Sequence, residues 1–108
     1  MIATAAASPG LLRIFPARVI ARATGADVRT AERWRAGQSP QRRYRERMYE
    51  LQAVLDTLGR GMTPEGKQAW LEAPSAFLAW RRPIDRLAAG EFERVRAAAE
   101  SYLVGDFA

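Results

Sequence analysis

The chain has 108 residues, 17 basic and 12 acidic side chains, a net charge of +5, and neither Cys nor His. That inventory excludes disulfide frameworks, thiolate and imidazole catalysis, and metal sites of the His/Cys type. No apolar run nears the ~20 residues of a membrane span and no secretory leader pattern opens the chain, so a cytoplasmic protein of one domain, or two tightly joined halves, is expected.

The charge is unevenly placed. Residues 1–60 carry eleven Arg against five acids, whereas residues 61–108 carry six basic groups against seven acids. The leading part therefore attracts phosphate and the trailing part is close to neutral. A high Arg and Ala content is also what a GC-rich genome produces, so the asymmetry carries more weight than the total.

Residues 1–10 are Ala-rich and read as a frayed start. Leu11, Leu12, Ile14 and Phe15 make a short first helix that ends before Pro16. Residues 17–37 fit the slots of a helix-turn-helix. Ile20 and Ala21 lie on the first helix, with Ala21 small at the crossing, and Gly25 takes the turn, where a positive φ is cheap for Gly. Asp27 caps the second helix. Val28, Ala31 and Trp34 recur at three-residue steps and are expected on one inward face. Arg29, Thr30 and Arg33 then point outward near the helix start, where base edges are read; Arg suits guanine and Thr offers a hydroxyl or a methyl. The stretch resembles the Xre/Cro class of repressors, in which an Arg-Trp pair is soon followed by Gly, here Arg33, Trp34 and Gly37. The competing reading is an α-hairpin used only for packing or dimerisation.

Ser39 and Pro40 are expected to start the longest helix, running to about Leu58, as cap and first helical residue. Tyr44, Met48, Leu51, Leu55 and Leu58 form its apolar seam. Arg42, Arg43, Arg45 and Arg47 crowd its first turns, against the helix dipole, which points to a phosphate neighbour or to a solvated face. Gly59 and Gly61 break the helix and mark a division into a DNA-binding and dimerisation region, 1–60, and a second region, 61–108. Thr63 and Pro64 start a short helix carrying Trp70 and Leu71; Pro74 stops it, and Ser75 caps a single turn through Phe77 and Leu78.

Then comes the densest part of the chain. Pro83 opens a helix, Asp85 sits in its first turn facing the positive dipole end, Leu87 closes it and Gly90 ends it. A last helix from about Glu91 to Leu103 carries Phe92, Val95, Ala99 and Tyr102 on one side, and the tail ends on Gly105, Asp106, Phe107 and Ala108.

Taken together, Trp70, Leu71, Pro74, Leu78, Arg81, Arg82, Pro83, Asp85, Leu87, Gly90, Glu91, Val95, Gly105 and Phe107 resemble, in order and spacing, the toxin-binding region of bacterial antitoxins of the ParS/MbcA kind, which pair with RES-domain toxins. The likeness spans about the last 40 residues. Ser75, Trp80 and Arg86 depart from it. Trp80 stands where a small residue or Gly is usual, and since Gly admits backbone angles that Trp does not, a different local loop is expected. The resemblance implies an all-α chain, a Cro/Xre-like bundle followed by a small helical toxin-binding part. It also implies a non-catalytic inhibitor covering the mouth of an NAD-consuming toxin. Trp80, Arg81, Arg82, Asp85, Phe107 and Ala108 are the residues expected at the toxin, and Arg29, Thr30, Arg33, Arg42 and Arg43 those expected at operator DNA. A homodimer is expected, since helix-turn-helix proteins read two half-sites as a pair, and neither a cofactor nor a membrane is. A stand-alone transcriptional regulator is the alternative; it accounts for the cationic front but leaves the run from Arg81 to Asp85 unexplained. An enzyme is disfavoured, because nothing supplies a nucleophile–base pair or a Gly-rich phosphate loop.

Overall fold

A computed structural model describes residues 9–104. Residues 1–8 and the tail bearing Gly105, Phe107 and Ala108 lie outside the described residues. Among the described residues, seven α-helices and one 3-10 turn follow one another: α1 Pro9–Ile14, α2 Ala17–Thr24, α3 Val28–Arg35, α4 Arg42–Leu58, α5 Pro64–Glu72, the 3-10 turn Ala76–Leu78, α6 Pro83–Ala88 and α7 Phe92–Val104. Among the described residues there is no strand beyond one antiparallel bridge between Ser75 and Arg81, so the chain is all-α as expected. None of these helices is long and apolar enough to cross a membrane.

Local chemistry sets most of the boundaries. Pro16 is the N-cap of α2, and its carbonyl accepts from Val19 and Ile20. Thr63 caps α5, its hydroxyl accepting the N–H of Gly66 at 3.0 Å, with Pro64 at the first helical position. Pro83 opens α6 in the same way, and Gly90 leaves it at φ 83°. Two expectations fail. The longest helix starts at Arg42, not at Pro40: Gln41 is extended (φ −65°, ψ 157°), and its carbonyl is the first to accept helical bonds, from Tyr44 and Arg45. Pro40 is buried, so its ring packs ahead of the helix and does not begin it. Ser75 precedes the 3-10 turn without a side-chain cap; its backbone carbonyl does the work, accepting from Leu78 at 3.0 Å.

One hydrophobic core runs through the described chain. Val19, Ile20 and Ala23 of α2, Ala31 and Trp34 of α3, Met48, Leu51, Val54, Leu55 and Leu58 of α4 meet Leu71, Leu78, Ile84, Leu87, Val95 and Ala99 from the trailing half. Helix α6 packs on α2 and α4, and α7 lies along α4. Polar links cross the same seam: Arg18 to Glu72 at 2.7 Å, Arg22 to Asp85 at 2.7 Å, Arg96 to Glu50 at 2.6 Å, and Arg47 Nε to the Ala88 carbonyl at 3.2 Å. Burial of one Leu or Ile is worth roughly 1.5–3 kcal/mol, against roughly 0–1 kcal/mol for an exposed ion pair. The apolar contacts therefore hold the halves together, and the ion pairs fix how they sit.

Candidate functional site

Two surfaces carry the candidate residues. The first is built by α2, a three-residue turn and α3. Thr24 closes α2: its hydroxyl donates to the Ile20 carbonyl at 2.8 Å and accepts the Ala26 N–H at 3.4 Å, so a buried polar group is satisfied on both sides. Gly25 follows in the left-handed region at φ 81°, its N–H donating to the Ala21 carbonyl. Asp27 then caps α3 through the Thr30 N–H at 2.7 Å. That bond, helped by Arg33 and Arg29 nearby, holds the Asp27 carboxyl below the usual carboxylate range.

Ala31 and Trp34 face inward as expected, but Val28 does not: it is 46% exposed. It is the first residue of α3, beyond the reach of the turn that Ala31 and Trp34 press against α2, so the three-residue spacing overstates the inward face. Arg29 and Arg33 are exposed, Thr30 is half-buried, and neither arginine makes a hydrogen bond or ion pair within the described residues. Arg43 sits over the Tyr44 ring at 4.8 Å, and Tyr44 in turn leans on Trp34 with ring centroids 5.4 Å apart. The start of α4 is thereby tied to α3. Arg42 and Arg45 stay exposed, while Arg47 is half-buried and donates its Nε to the Ala88 carbonyl. Arg18, Arg22 and Arg35 are likewise engaged inside the molecule, Arg35 donating to the Leu12 carbonyl at 3.0 Å. Part of the cationic excess of the front half is thus internal glue, which a residue count does not reveal.

The second surface is the loop 75–81 and the helices beside it. Ser75 closes the loop on itself: its carbonyl accepts from Leu78 at 3.0 Å and Trp80 at 2.8 Å, and its N–H donates to the Arg81 carbonyl at 3.1 Å. Leu78 plugs the loop into the core, almost wholly buried. The loop keeps the left-handed backbone that Gly would supply, with Ala79 at φ 56° and Trp80 at φ 66°. Trp80 thus takes up backbone angles that Gly adopts more cheaply, and it does so with strain, since positive φ is an outlier for a bulky side chain. Trp80 is also 70% exposed.

Beside it opens a cleft of about 330 Å³ lined by Trp70, Ala73, Pro74, Ser75, Ala76, Phe77, Trp80, Ala98 and Tyr102. Tyr102 is 45% exposed and faces this cleft near the end of α7, past the buried Val95, Ala98 and Ala99. The charged residues that follow Trp80 differ among themselves. Arg82 grips Asp85 with two bonds, Nε to Oδ2 at 2.9 Å and Nη2 to Oδ1 at 3.2 Å, and Arg22 adds a third at 2.7 Å. Asp85 is accordingly held below the usual carboxylate range, chiefly by Arg82 and further by Arg22, with partial burial opposing. Arg81 is exposed and makes no side-chain hydrogen bond or ion pair within the described residues.

Known proteins match this arrangement over most of its length. The chain is 37% identical to a probable mycobacterial cidal antitoxin, Rv3188 of Mycobacterium tuberculosis, over 79 residues, 73% of this chain and 68% of that one. It is 35% identical to the mycobacterial cidal antitoxin MbcA of Mycobacterium bovis over 83 residues, 76% of this chain and 74% of that one. In three dimensions it superposes on a chain of the crystal structure of the M. tuberculosis MbcT–MbcA toxin–antitoxin complex with a TM-score of 0.75 and 30% identity, covering 94% of this chain and 93% of that one.

The chain belongs to the MbcA family of antitoxins.

No general family profile matches it. Its membership therefore rests on these relatives. Sequence reasoning missed the latch that Arg18 and Arg22 of α2 make to the trailing half of this MbcA-family chain, and the part Thr24 plays in the turn. Arg22 to Asp85 spans 63 positions, and no local pattern points across such a distance.

Proposed function

We propose that this chain is the antitoxin of a toxin–antitoxin pair, a non-catalytic protein that acts in the cytoplasm by binding and blocking a cognate toxin. The superposition over 94% of the chain on a member of a toxin–antitoxin complex is the observation that carries this reading. The finer parts have their own support. The run from Trp70 to Phe107 resembles antitoxins whose toxins are of the RES type and consume NAD. The toxin is met by residues 61–108, with Trp80 and Arg81 the most available, Arg82 and Asp85 bracing the loop behind them, and Phe107 and Ala108 on the tail. Operator DNA is met by residues 1–60 through Arg29, Thr30 and Arg33, with Arg42 and Arg43 alongside, and two copies of the chain read two half-sites.

Co-expression and NAD assay test the first claim. The chain purified with the toxin encoded beside it should form a stable complex, and NAD loss by the toxin should stop at equimolar antitoxin. Free turnover in the presence of excess chain overturns the reading. Operator binding that loses affinity steeply between 50 and 200 mM salt supports the second claim, since released counterions drive phosphate binding. Operator binding without any toxin partner would leave a stand-alone regulator.

A further inference from the structure

Resting on the toxin partnership just proposed, we infer that Trp80 is a strained anchor of the toxin interface. Its indole forms one wall of a preformed aromatic cleft that receives an apolar side chain of the toxin, and Arg81 next to it takes a toxin carboxylate. The backbone is the first ground. Two successive non-Gly residues, Ala79 and Trp80, occupy the left-handed region, at φ 56° and 66°. Such conformations persist when the surroundings over-determine them, and they gather where binding needs a fixed shape. Here the bonds of Ser75 to Leu78, Trp80 and Arg81 do the fixing.

The second ground is what the fold gets from Trp80. A large side chain in a strained position normally returns the cost through burial, yet Trp80 is 70% exposed and Leu78 already fills the core at this loop. Gly would fit this backbone without strain and would cost the core little.

The third ground is the surrounding surface. Trp70 and Tyr102 line the same cleft as Trp80, and Tyr102 is 45% exposed there. Exposed aromatic groups around a pocket are the usual hot spots of protein interfaces. The occupant follows from charge. The trailing half is almost neutral, which disfavours nucleic acid, and on this loop Arg81 is an exposed cation with no partner among the described residues. An apolar toxin side chain flanked by an acid matches both features.

The test is a pair of measurements on the full chain: calorimetric titration against the cognate toxin, and thermal unfolding. Trp80→Gly should weaken toxin binding about thirtyfold or more. Its unfolding midpoint should stay where it is or rise by up to about 5 °C, because the left-handed strain is gone. Trp80→Phe, which keeps an aromatic wall, should bind within about fivefold of the parent, and Arg81→Ala should lose about tenfold, less at high salt. A lowered midpoint for Trp80→Gly would make the indole a structural part and overturn the inference, as would binding within about threefold of the parent. If the parent itself fails to bind the toxin, the proposed function falls and this inference with it; if the parent binds and Trp80→Gly binds equally, this inference falls alone.

Discussion

Helix α3 and the loop 75–81 present opposite kinds of surface. On α3, Arg29 and Arg33 are long, exposed and make no hydrogen bond or ion pair among the described residues, while the backbone beneath them is helical and capped by Asp27. On the loop, the side chain at issue is aromatic, and the backbone beneath it is bonded back to Ser75 and forced left-handed. A charged surface acts over the ~8–10 Å of a Debye length and tolerates freedom in its side chains. An aromatic wall acts only when touched, so its position must be set before the partner arrives. The two surfaces are thus built to different tolerances, on one core.

The largest expected effect attacks that shared core. Leu51 is fully buried on α4, the helix that packs against α2 in front and against α6 and α7 behind. Leu51→Ala should cost about 2–5 kcal/mol, a large part of the ~5–15 kcal/mol a domain of this kind has. Urea unfolding followed by circular dichroism and by tryptophan fluorescence should give one transition, shifted alike for both probes, with operator and toxin binding lost together along it. Two separated transitions, with either activity outlasting the other, would mean that the halves fold independently.

Next in size is a change that separates the surfaces. Arg29→Ala with Arg33→Ala should lower operator affinity by about 1–3 kcal/mol for each arginine that reads a base edge. Where an arginine instead neutralises a phosphate, the slope of affinity against salt should become shallower by about one unit. Toxin affinity should not move by more than about twofold. Equal weakening of both would show that the two surfaces communicate through α2, which touches both α3 and α6.

Much of this was legible in the sequence where the cause is local. Pro64 and Pro83 at helix starts, Asp27 as a cap and Gly25 in a turn are read from neighbours a few residues away, and all four stand where expected. The misreadings share another cause. Val28 obeys the helical period yet lies exposed at the helix edge, and Pro40 has the right residue type yet is buried ahead of the helix. In each, tertiary placement overrode a local rule. At the candidate site the sequence names the side chains but not their pairing: nothing local says that Arg82 and Arg22 are bound to Asp85 while Arg81 makes no side-chain bond among the described residues.

Gly25 and Trp80 make a mirrored pair at smaller amplitude, since both sit at positive φ, 81° and 66°, with opposite residue choices. A Cβ added at Gly25 would meet nothing within 4 Å, so Gly25→Ala should be limited to the conformational cost. About 1 kcal/mol is expected, or a midpoint lower by roughly 4–8 °C. Trp80→Gly should move the midpoint the other way or not at all. If both substitutions lower it, the loop owes its shape to the indole and not to the Ser75 bonds.

The smallest effect concerns the ion pairs that join the two regions. Asp85 is bound by Arg82 and Arg22, and these hold its carboxyl below its ordinary range. For a carboxylate with a depressed folded pKa, the linked stability is fully present above the unfolded value, near ~3.9, and is lost as pH falls through the folded value. Asp85→Asn should therefore be less stable than the parent near neutral pH, with the gap closing below about pH 4. The gap should stay under about 1 kcal/mol, because the Arg22 side chain is 59% exposed and solvent screens the pair. Glu72, lowered chiefly by Arg18, gives the same sign and serves as the internal control, so a Glu72→Gln variant should show a parallel closing. Urea midpoints measured from neutral pH down to about pH 2 decide the matter. A gap that persists unchanged at the acid end would mean that Asp85 joins the halves by its shape and hydrogen-bonding outline, with its charge contributing nothing to the joint.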